Sequence, residues 1–229
     1  MRLADLAWPE VAERAAAGAI LAVPVGSTEQ HGPHLPVSTD TDIAVALCMA
    51  LAAVRSDVVV APEVAYGSSG EHAGFAGTLS IGQAATELLL VELGRSAFET
   101  FRHVLFVSAH GGNAEPITRA VSRLSTESHD IGLFQPRWQG DPHAGRPETA
   151  LQLALRPAAV RMERAVVGDQ RPLSELLPLL RAGGVRAVTA TGVLGDPTEA
   201  TSGEGRVIVD GLSGELISQV ARWRSLVSA

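Results

Sequence analysis

The sequence predicts an α/β fold in which helices cover both faces of a parallel β-sheet. Three observations lead to this prediction: the chain contains four short apolar runs, helical patterns separate those runs, and 46% of the residues are hydrophobic. Strands that alternate with helices are typical of a parallel sheet, because a parallel connection has to cross back along the sheet, usually through a helix. The 229 residues suit one large α/β domain, and we expect a single domain over residues 1–229.

The four apolar runs are almost free of charged side chains, as expected for strands buried on both faces of a sheet. The first has the sequence Ala-Ile-Leu-Ala-Val-Pro-Val, and the others are rich in valine, leucine, isoleucine or phenylalanine. The predicted strands span residues 19–25, 58–61, 104–108 and 131–134.

Helical patterns occupy the segments between and after these strands. They place apolar residues at helical spacing and polar residues between them. Residues 183–205 are rich in glycine, threonine, alanine and proline, and we expect a loop there that packs against the core. The predicted helices span residues 43–54, 84–100, 116–125, 148–155 and 205–226.

Composition and charge exclude several classes of function. The net charge of −7 and the lack of a basic run disfavour nucleic acid and anionic membranes as partners. No apolar run approaches the roughly 18 residues of a membrane span, and we find no signal peptide. The single cysteine, Cys48, lies in an apolar stretch, so we expect a buried thiol and a cytoplasmic protein. All 18 basic residues are arginine, which excludes a P-loop lysine, a pyridoxal Schiff base and a lysine nucleophile.

The densest group of potential metal ligands follows the first predicted strand. The segment Glu-Gln-His-Gly-Pro-His-Leu-Pro-Val-Ser-Thr-Asp contains Glu29, His31, His34 and Asp40. Its glycine and prolines favour a shaped loop rather than a helix. Open α/β sheets bind ligands at the carboxyl ends of their strands, and carboxylate and imidazole groups bind Zn, Mn or Fe. We therefore expect a metal site in this loop.

Two further motifs follow later strands. Ser-Ala-His-Gly-Gly-Asn places His110 at the same edge of the sheet, where its glycines permit a close approach of a ligand. Asp-Pro-His-Ala-Gly-Arg-Pro-Glu-Thr contributes His143 and, at the start of a predicted helix, Glu148. A glycine turn with an incidental histidine is the alternative for the first of these motifs. For Glu148 the alternative is a first-turn carboxylate that interacts with the helix dipole.

A glycine-rich segment over residues 66–78 is predicted to form a loop over the site. We expect Glu71 and His72 in this loop, together with His34 and Trp138, to contact a substrate, although a solvated loop is equally compatible with the sequence. The remaining histidines, His103 and His129, are expected at the surface or at strand edges. The remaining tryptophans, Trp8 and Trp223, are expected to pack against other side chains.

These residues would together support metal-assisted hydrolysis of an amide. We expect two divalent ions (Zn, Fe(II) or Mn) bridged by Asp40, with Glu29 and His31 bound to different ions. His110 and Glu148 would complete the two sets of ligands. A metal-activated water would attack the carbonyl carbon, and we expect His143 to give the departing amine its proton.

The three motifs resemble those of the creatininase family of metal-dependent amidohydrolases, in the same order, from about residue 20 to about residue 200. The resemblance implies a three-layer α/β/α sandwich with a mostly parallel sheet, a metal pair and a homo-oligomer. By motif position it also implies metal roles for Glu29, His31, Asp40 and His110.

Additional segments resemble a peptidase within this family, namely residues 66–72, 75–82, 140–145 and 191–197. This second resemblance implies that the substrate is a small ribosomal precursor peptide. The implied reaction releases a C-terminal Val-Tyr dipeptide that has already been decarboxylated and cross-linked.

One position departs from the creatininase pattern. Creatininase itself has a glutamate ligand two residues after the histidine of the second motif, where this chain has Gly112. We expect Glu148 to supply the missing carboxylate. Gly112 also argues against creatinine as the substrate.

Two alternatives to the peptidase remain open. The first is an amidohydrolase that acts on a small cyclic amide or a formamide, which the three central motifs fit equally well. The second is a non-catalytic, metal-bound protein that binds the peptide without cleaving it. Replacing Glu29 by Gln separates this binding protein from both enzymes, because only a hydrolase has turnover to lose.

Overall fold

A computed structural model, which describes residues 1–227, contains a four-stranded parallel sheet within that range. The strand order is β2–β1–β3–β4. The two central strands, β1 and β3, pair in parallel from Ile20 opposite His103 to Val25 opposite Ser108. The strands span Ile20–Val25 (β1), Val58–Val60 (β2), His103–Ser108 (β3) and Asp130–Phe134 (β4).

Helices lie on both faces of the sheet, which confirms the predicted α/β/α sandwich. Alternate residues of β1 face opposite layers: Ile20 and Ala22 join one core, whereas Leu21 and Val23 join the other. Helices α2, α5 and α7 line the first core, and α1, α3 and α4 line the second. The helices span Trp8–Ala16 (α1), Thr39–Val54 (α2), Gly82–Phe98 (α3), Ala114–Thr126 (α4), Arg146–Leu155 (α5), Leu173–Gly183 (α6) and Ser202–Val227 (α7).

The strand order creates a crevice at the carboxyl ends of β1 and β3. From β1 the chain passes to β2 on one side, and β3 then lies on the other side of β1. Such a switch point is where doubly wound sheets bind their ligands, because the loops leaving the two strands turn away from each other. The first two sequence motifs leave β1 and β3 at this point.

Several predicted boundaries are corrected at the amino-terminal ends of helices. Helix α2 begins at Thr39, so Asp40 lies in the first turn of a helix and not in the loop expected there. Its acidic side chain is favoured at that end by the helix dipole. Helix α7 begins at Ser202, where Thr201 and Glu204 form reciprocal side-chain to backbone hydrogen bonds. Both starts contain polar residues that an apolar pattern does not detect.

Some single residues also differ from expectation. Trp8, predicted to pack, is 81% exposed at the start of α1. His103 is the first residue of β3 but is buried, with Nδ1 2.6 Å from Asp130 Oδ2. Cys48 is fully buried in α2, as its apolar neighbours predicted. No helix in the described part of the chain has the length and apolar character needed to cross a membrane.

Candidate active site

A cavity of about 1250 Å³ opens at the carboxyl ends of β1 and β3. Its lining combines residues of the three sequence motifs with residues from the 136–142 segment, the 66–78 loop and α6. Three of the four predicted substrate contacts line this cavity: Glu71, His72 and Trp138. The predicted ligands that line it are Glu29, Asp40, His110 and Glu148.

The first group of potential ligands consists of Glu29, Asp40 and His110. One atom from each lies within 4.8 Å of the others. Glu29 Oε2 is 3.2 Å from His110 Nε2, and Asp40 Oδ2 is 3.3 Å from His110 Nδ1. His110 Nε2 donates to the Ser68 carbonyl at 2.8 Å, so Nδ1 is the ring nitrogen that faces Asp40 and would be available to a cation.

The second group consists of His31, Asp40 and Glu148, whose ligand atoms also lie within 4.8 Å of one another. His31 Nε2 is 3.4 Å from Asp40 Oδ1 and 3.8 Å from Glu148 Oε2. His31 Nδ1 is 3.2 Å from the Glu29 carbonyl, and donation there leaves Nε2 as the ring nitrogen that faces the carboxylates and would be available to a cation. Asp40 is therefore common to both groups.

The donor set fits a divalent cation. Glu29 Oε2 and His31 Nε2 are buried side-chain atoms without a hydrogen-bond partner among the described residues. An unsatisfied buried polar atom is costly, and a cation that accepts its lone pair removes that cost. Oxygen and nitrogen ligands without thiolate suit Zn, Fe(II) or Mn.

Protonation in this cluster responds to burial and to close charges. Burial raises the pKa of Glu29 to about 8 and the pKa of Glu148 to about 7, because the ionised carboxylates lose hydration. Burial alone would lower the pKa of His31 and of His110. The negative charges of Asp40 beside His31 and of Glu29 beside His110 raise both pKa values to about 10. Without a cation, protons bound to these side chains balance part of the negative charge of the carboxylates.

Gln30 organises two further histidines around Glu29. Its amide Nε2 donates to His72 Nδ1 at 2.8 Å, so His72 Nε2 carries a proton and faces Glu29 Oε1 at 3.3 Å. Its backbone carbonyl accepts from His143 Nε2 at 2.9 Å, which leaves His143 Nδ1 toward Glu29 Oε1 at 3.9 Å. Burial lowers the pKa of His72 to about 3 and also holds the pKa of His143 well below its usual value. Both rings are neutral in this environment.

The remaining predicted residues occupy different surroundings. His143 and His72 line the cavity, and their rings contact each other at an angle of 43° with centroids 4.3 Å apart. His34 is buried and is not among the residues that line the cavity in the described chain. Its Nε2 lies 2.8 Å from Thr149 Oγ1, a contact that joins the first motif to α5.

Sequence reasoning missed the residues that hold these side chains in place. Ser27 Oγ donates to Asp40 Oδ2 at 2.5 Å, and the Ala144 amide donates to Glu148 Oε2 at 2.6 Å. The sequence motif indicated no separate role for Gln30, which lies between two predicted ligands. Polar residues directly beside a ligand motif were the available signal, but the partners of Gln30 lie 42 to 162 residues away in the sequence.

Gly112 is fixed by its surroundings. A Cβ atom at this position would lie 2.2 Å from the Ser68 carbonyl oxygen, 2.4 Å from Glu71 Oε1 and 2.5 Å from His110 Nε2. These distances leave no room for a side chain, so a glutamate at this position does not fit this arrangement. Glu71 instead brings a carboxylate to within 3.6 Å of His110 Nε2.

Comparisons with known proteins relate the chain to hydrolases. The family model described as creatinine amidohydrolase matches residues 4–220. The chain is 49% identical over 213 residues to the mycofactocin precursor peptide peptidase of Mycobacterium tuberculosis, across 89% of this chain and 85% of that protein. It is also 49% identical over 208 residues to the peptidase of the same name from Mycolicibacterium smegmatis, across 88% and 84%. A crystal structure of creatinine amidohydrolase matches with a TM-score of 0.82 at 25% identity, over 96% of each chain.

Substitution of the two adjacent glycines is expected to have unequal effects. Gly112→Ala should displace His110 or the 66–78 loop and lower metal content and hydrolysis, because its Cβ meets three atoms of the site. Gly111→Ala is the matched control, since a Cβ there meets nothing within 4 Å. Metal analysis and melting curves of both variants test this, and equal behaviour would contradict the packing described for Gly112.

Metal removal is expected to lower the free energy of unfolding. Restoring Zn²⁺ or Mn²⁺ at 100 times Kd should raise it by about 2.7 kcal/mol, because the ion binds only the folded state. Denaturant titrations with and without ion measure the gain. Asp40→Asn should reduce the gain, whereas Asp57→Asn, a surface control paired with Arg55, should not. An undiminished gain in Asp40→Asn would place the ion elsewhere.

Proposed function

Because the chain belongs to the creatininase family of metal-dependent amide hydrolases, we propose that it is the peptidase of mycofactocin biosynthesis. In this proposal it releases the modified C-terminal Val-Tyr dipeptide from the mycofactocin precursor peptide. The observation that carries the proposal is the 49% identity to such peptidases over 89% of the chain. The cavity supports it, since 1250 Å³ exceeds the roughly 300–1,000 Å³ of pockets for drug-sized ligands. That space suits the end of a peptide better than a small cyclic amide.

We propose that two divalent ions are held in this site, with Zn, Fe(II) and Mn as the candidates. Glu29, Asp40 and His110 would hold one ion, and His31, Asp40 and Glu148 the other. A divalent ion supplies Lewis acidity there, which polarises an amide carbonyl and acidifies water.

The protein side chains supply orientation and proton transfer. Water adds to the carbonyl carbon, the C–N bond breaks, and a proton has to reach the departing amine nitrogen. We assign this transfer to His143, whose Nε2 is anchored on the Gln30 carbonyl and whose Nδ1 faces Glu29 Oε1. The neutral ring would accept a proton from the attacking water at Nδ1 and pass it to the departing amine nitrogen. His72 supports Glu29 through Nε2, and Glu71 and Trp138 are placed to contact the peptide. His34 is proposed to act on the substrate only through the loop that it fastens to Thr149.

We further propose that residues 1–229 act as a single domain, in a homo-oligomer, in the cytoplasm, with the precursor peptide as partner and without nucleic acid or membrane. An apolar groove supports association between copies. Tyr66, Leu89 and Leu93 line this groove and are 51%, 37% and 37% exposed. Analytical ultracentrifugation tests the oligomer.

Mass spectrometry of the modified precursor peptide tests the proposed reaction. We expect loss of the C-terminal dipeptide with the metal-loaded protein and no loss with a chelator. Glu29→Gln should bind the peptide, keep its fold and lose turnover, because the amide is a far weaker ligand than the carboxylate. An intact peptide with folded, metal-loaded protein would refute the peptidase and favour small cyclic amides.

Proton transfer by His143 is expected to contribute to kcat. His143→Gln should lower kcat by about 10²–10⁴-fold, the usual contribution of general acid–base catalysis, with metal content retained. His129→Gln is the control, since His129 stacks on Phe98 in the second core layer. Steady-state kinetics together with metal analysis distinguish the two effects. Loss of metal in His143→Gln would identify His143 as a ligand instead.

A further inference from the structure

One wall of the cavity is an apolar helix face that belongs to none of the motifs. Leu173, Leu177 and Leu180 of α6 all line the cavity. Their spacing of four and three residues puts them on one face of the helix. Leu173 and Leu177 are 44% and 38% exposed, so much of their apolar surface still faces solvent in the cavity.

Helix α6 is attached to the active-site loops. Leu176 of α6 is fully buried. The helix as a whole contacts the short 3₁₀ helices Gly70–His72 and Val185–Ala187. Gly184, directly after α6, has φ +68° and approaches the Glu71 carbonyl so closely that a Cβ would lie 2.6 Å from it. The position of α6 is therefore tied to the segment that carries Glu71 and His72.

We propose that this face, formed by Leu173, Leu177 and Leu180, binds the apolar side chains of the dipeptide that is released. The inference rests on the proposed function and names the substrate class as peptides that end in an aliphatic or aromatic group. The face and the ligand groups line the same cavity, so the end of one bound peptide can contact both.

The size of the cavity favours the released end over the remainder of the peptide as the occupant of the face. A cavity of about 1250 Å³ holds a few residues, and the rest of a precursor peptide has to extend through the mouth into solvent. Trp138 adds an aromatic surface to the same cavity, which suits a ring on the substrate. Leucine side chains that bury such a ring would favour a peptide with an aromatic end over one with a polar end.

Binding of two uncleavable peptides tests the proposal in the metal-loaded protein. Both carry a reduced amide before the final valine; one ends in tyramine (decarboxylated tyrosine) and the other in β-alanine (decarboxylated aspartate). Isothermal titration should show that the tyramine peptide binds about tenfold more tightly or better, as expected of an apolar pocket. Leu177→Ser should lose most of this preference, and Leu173→Ser is the second variant should Leu177→Ser not fold.

Leu179→Ser is the matched control. Leu179 lies on the same helix and is 43% exposed, but it is not among the residues that line the cavity in the described chain. Its substitution should leave the preference unchanged. An unchanged preference in Leu177→Ser, or an equal loss of preference in Leu179→Ser, would overturn the proposal. A Leu177→Ser protein that changes its oligomeric state but binds both peptides as before would also overturn it.

The two levels of the proposal fail separately. A protein that cleaves the precursor peptide but binds both probes equally retains the proposed function and loses the role of the leucine face. A protein that cleaves no peptide but prefers the tyramine probe through Leu177 retains the leucine face and loses the peptidase function.

Discussion

Asp40 is shared by the two groups of candidate ligands, and its position is fixed by the first turn of helix α2, in which it lies. Its two oxygens face His31 and His110, which come from loops after different strands. Burial would raise the pKa of this carboxyl, but His31 and His110 hold it well below the usual value. Ser27 and the positive end of α2 add to this stabilisation. A charge can therefore remain buried here, and the core packing of α2 keeps it in place.

The sheet topology explains how residues so far apart in sequence come together. Glu29 follows β1, His110 follows β3, and Glu148 lies in the first turn of α5. In the order β2–β1–β3–β4, the loops after β1 and β3 lie on either side of one crevice. The position of the site therefore depends on the order in which the strands are connected. Other apolar strand sequences of the same lengths could form the same order.

The sequence predicted the strands well but left out much of what supports the candidate ligands. Strands β1, β2 and β3 were recognisable because they are fully buried and therefore consist largely of apolar residues, whereas β4 is only partly buried. Helix α6 was missed because Pro178 lies inside it and breaks the helical pattern. The role of Gln30 was not predictable, since its partners His72, His143 and Gly192 are 42, 113 and 162 residues away. The steric reason for Gly112 likewise exists only in the folded chain.

Gly112 also constrains how this site can diverge. The atoms that exclude a Cβ there include a backbone carbonyl, that of Ser68, so no single shortening of Glu71 would create the space. The 66–78 loop has to be rebuilt before a side chain at position 112 becomes acceptable. Positions 68, 71 and 112 therefore form an epistatic unit, and an evolutionary route between this site and one with a glutamate at 112 passes through the loop first.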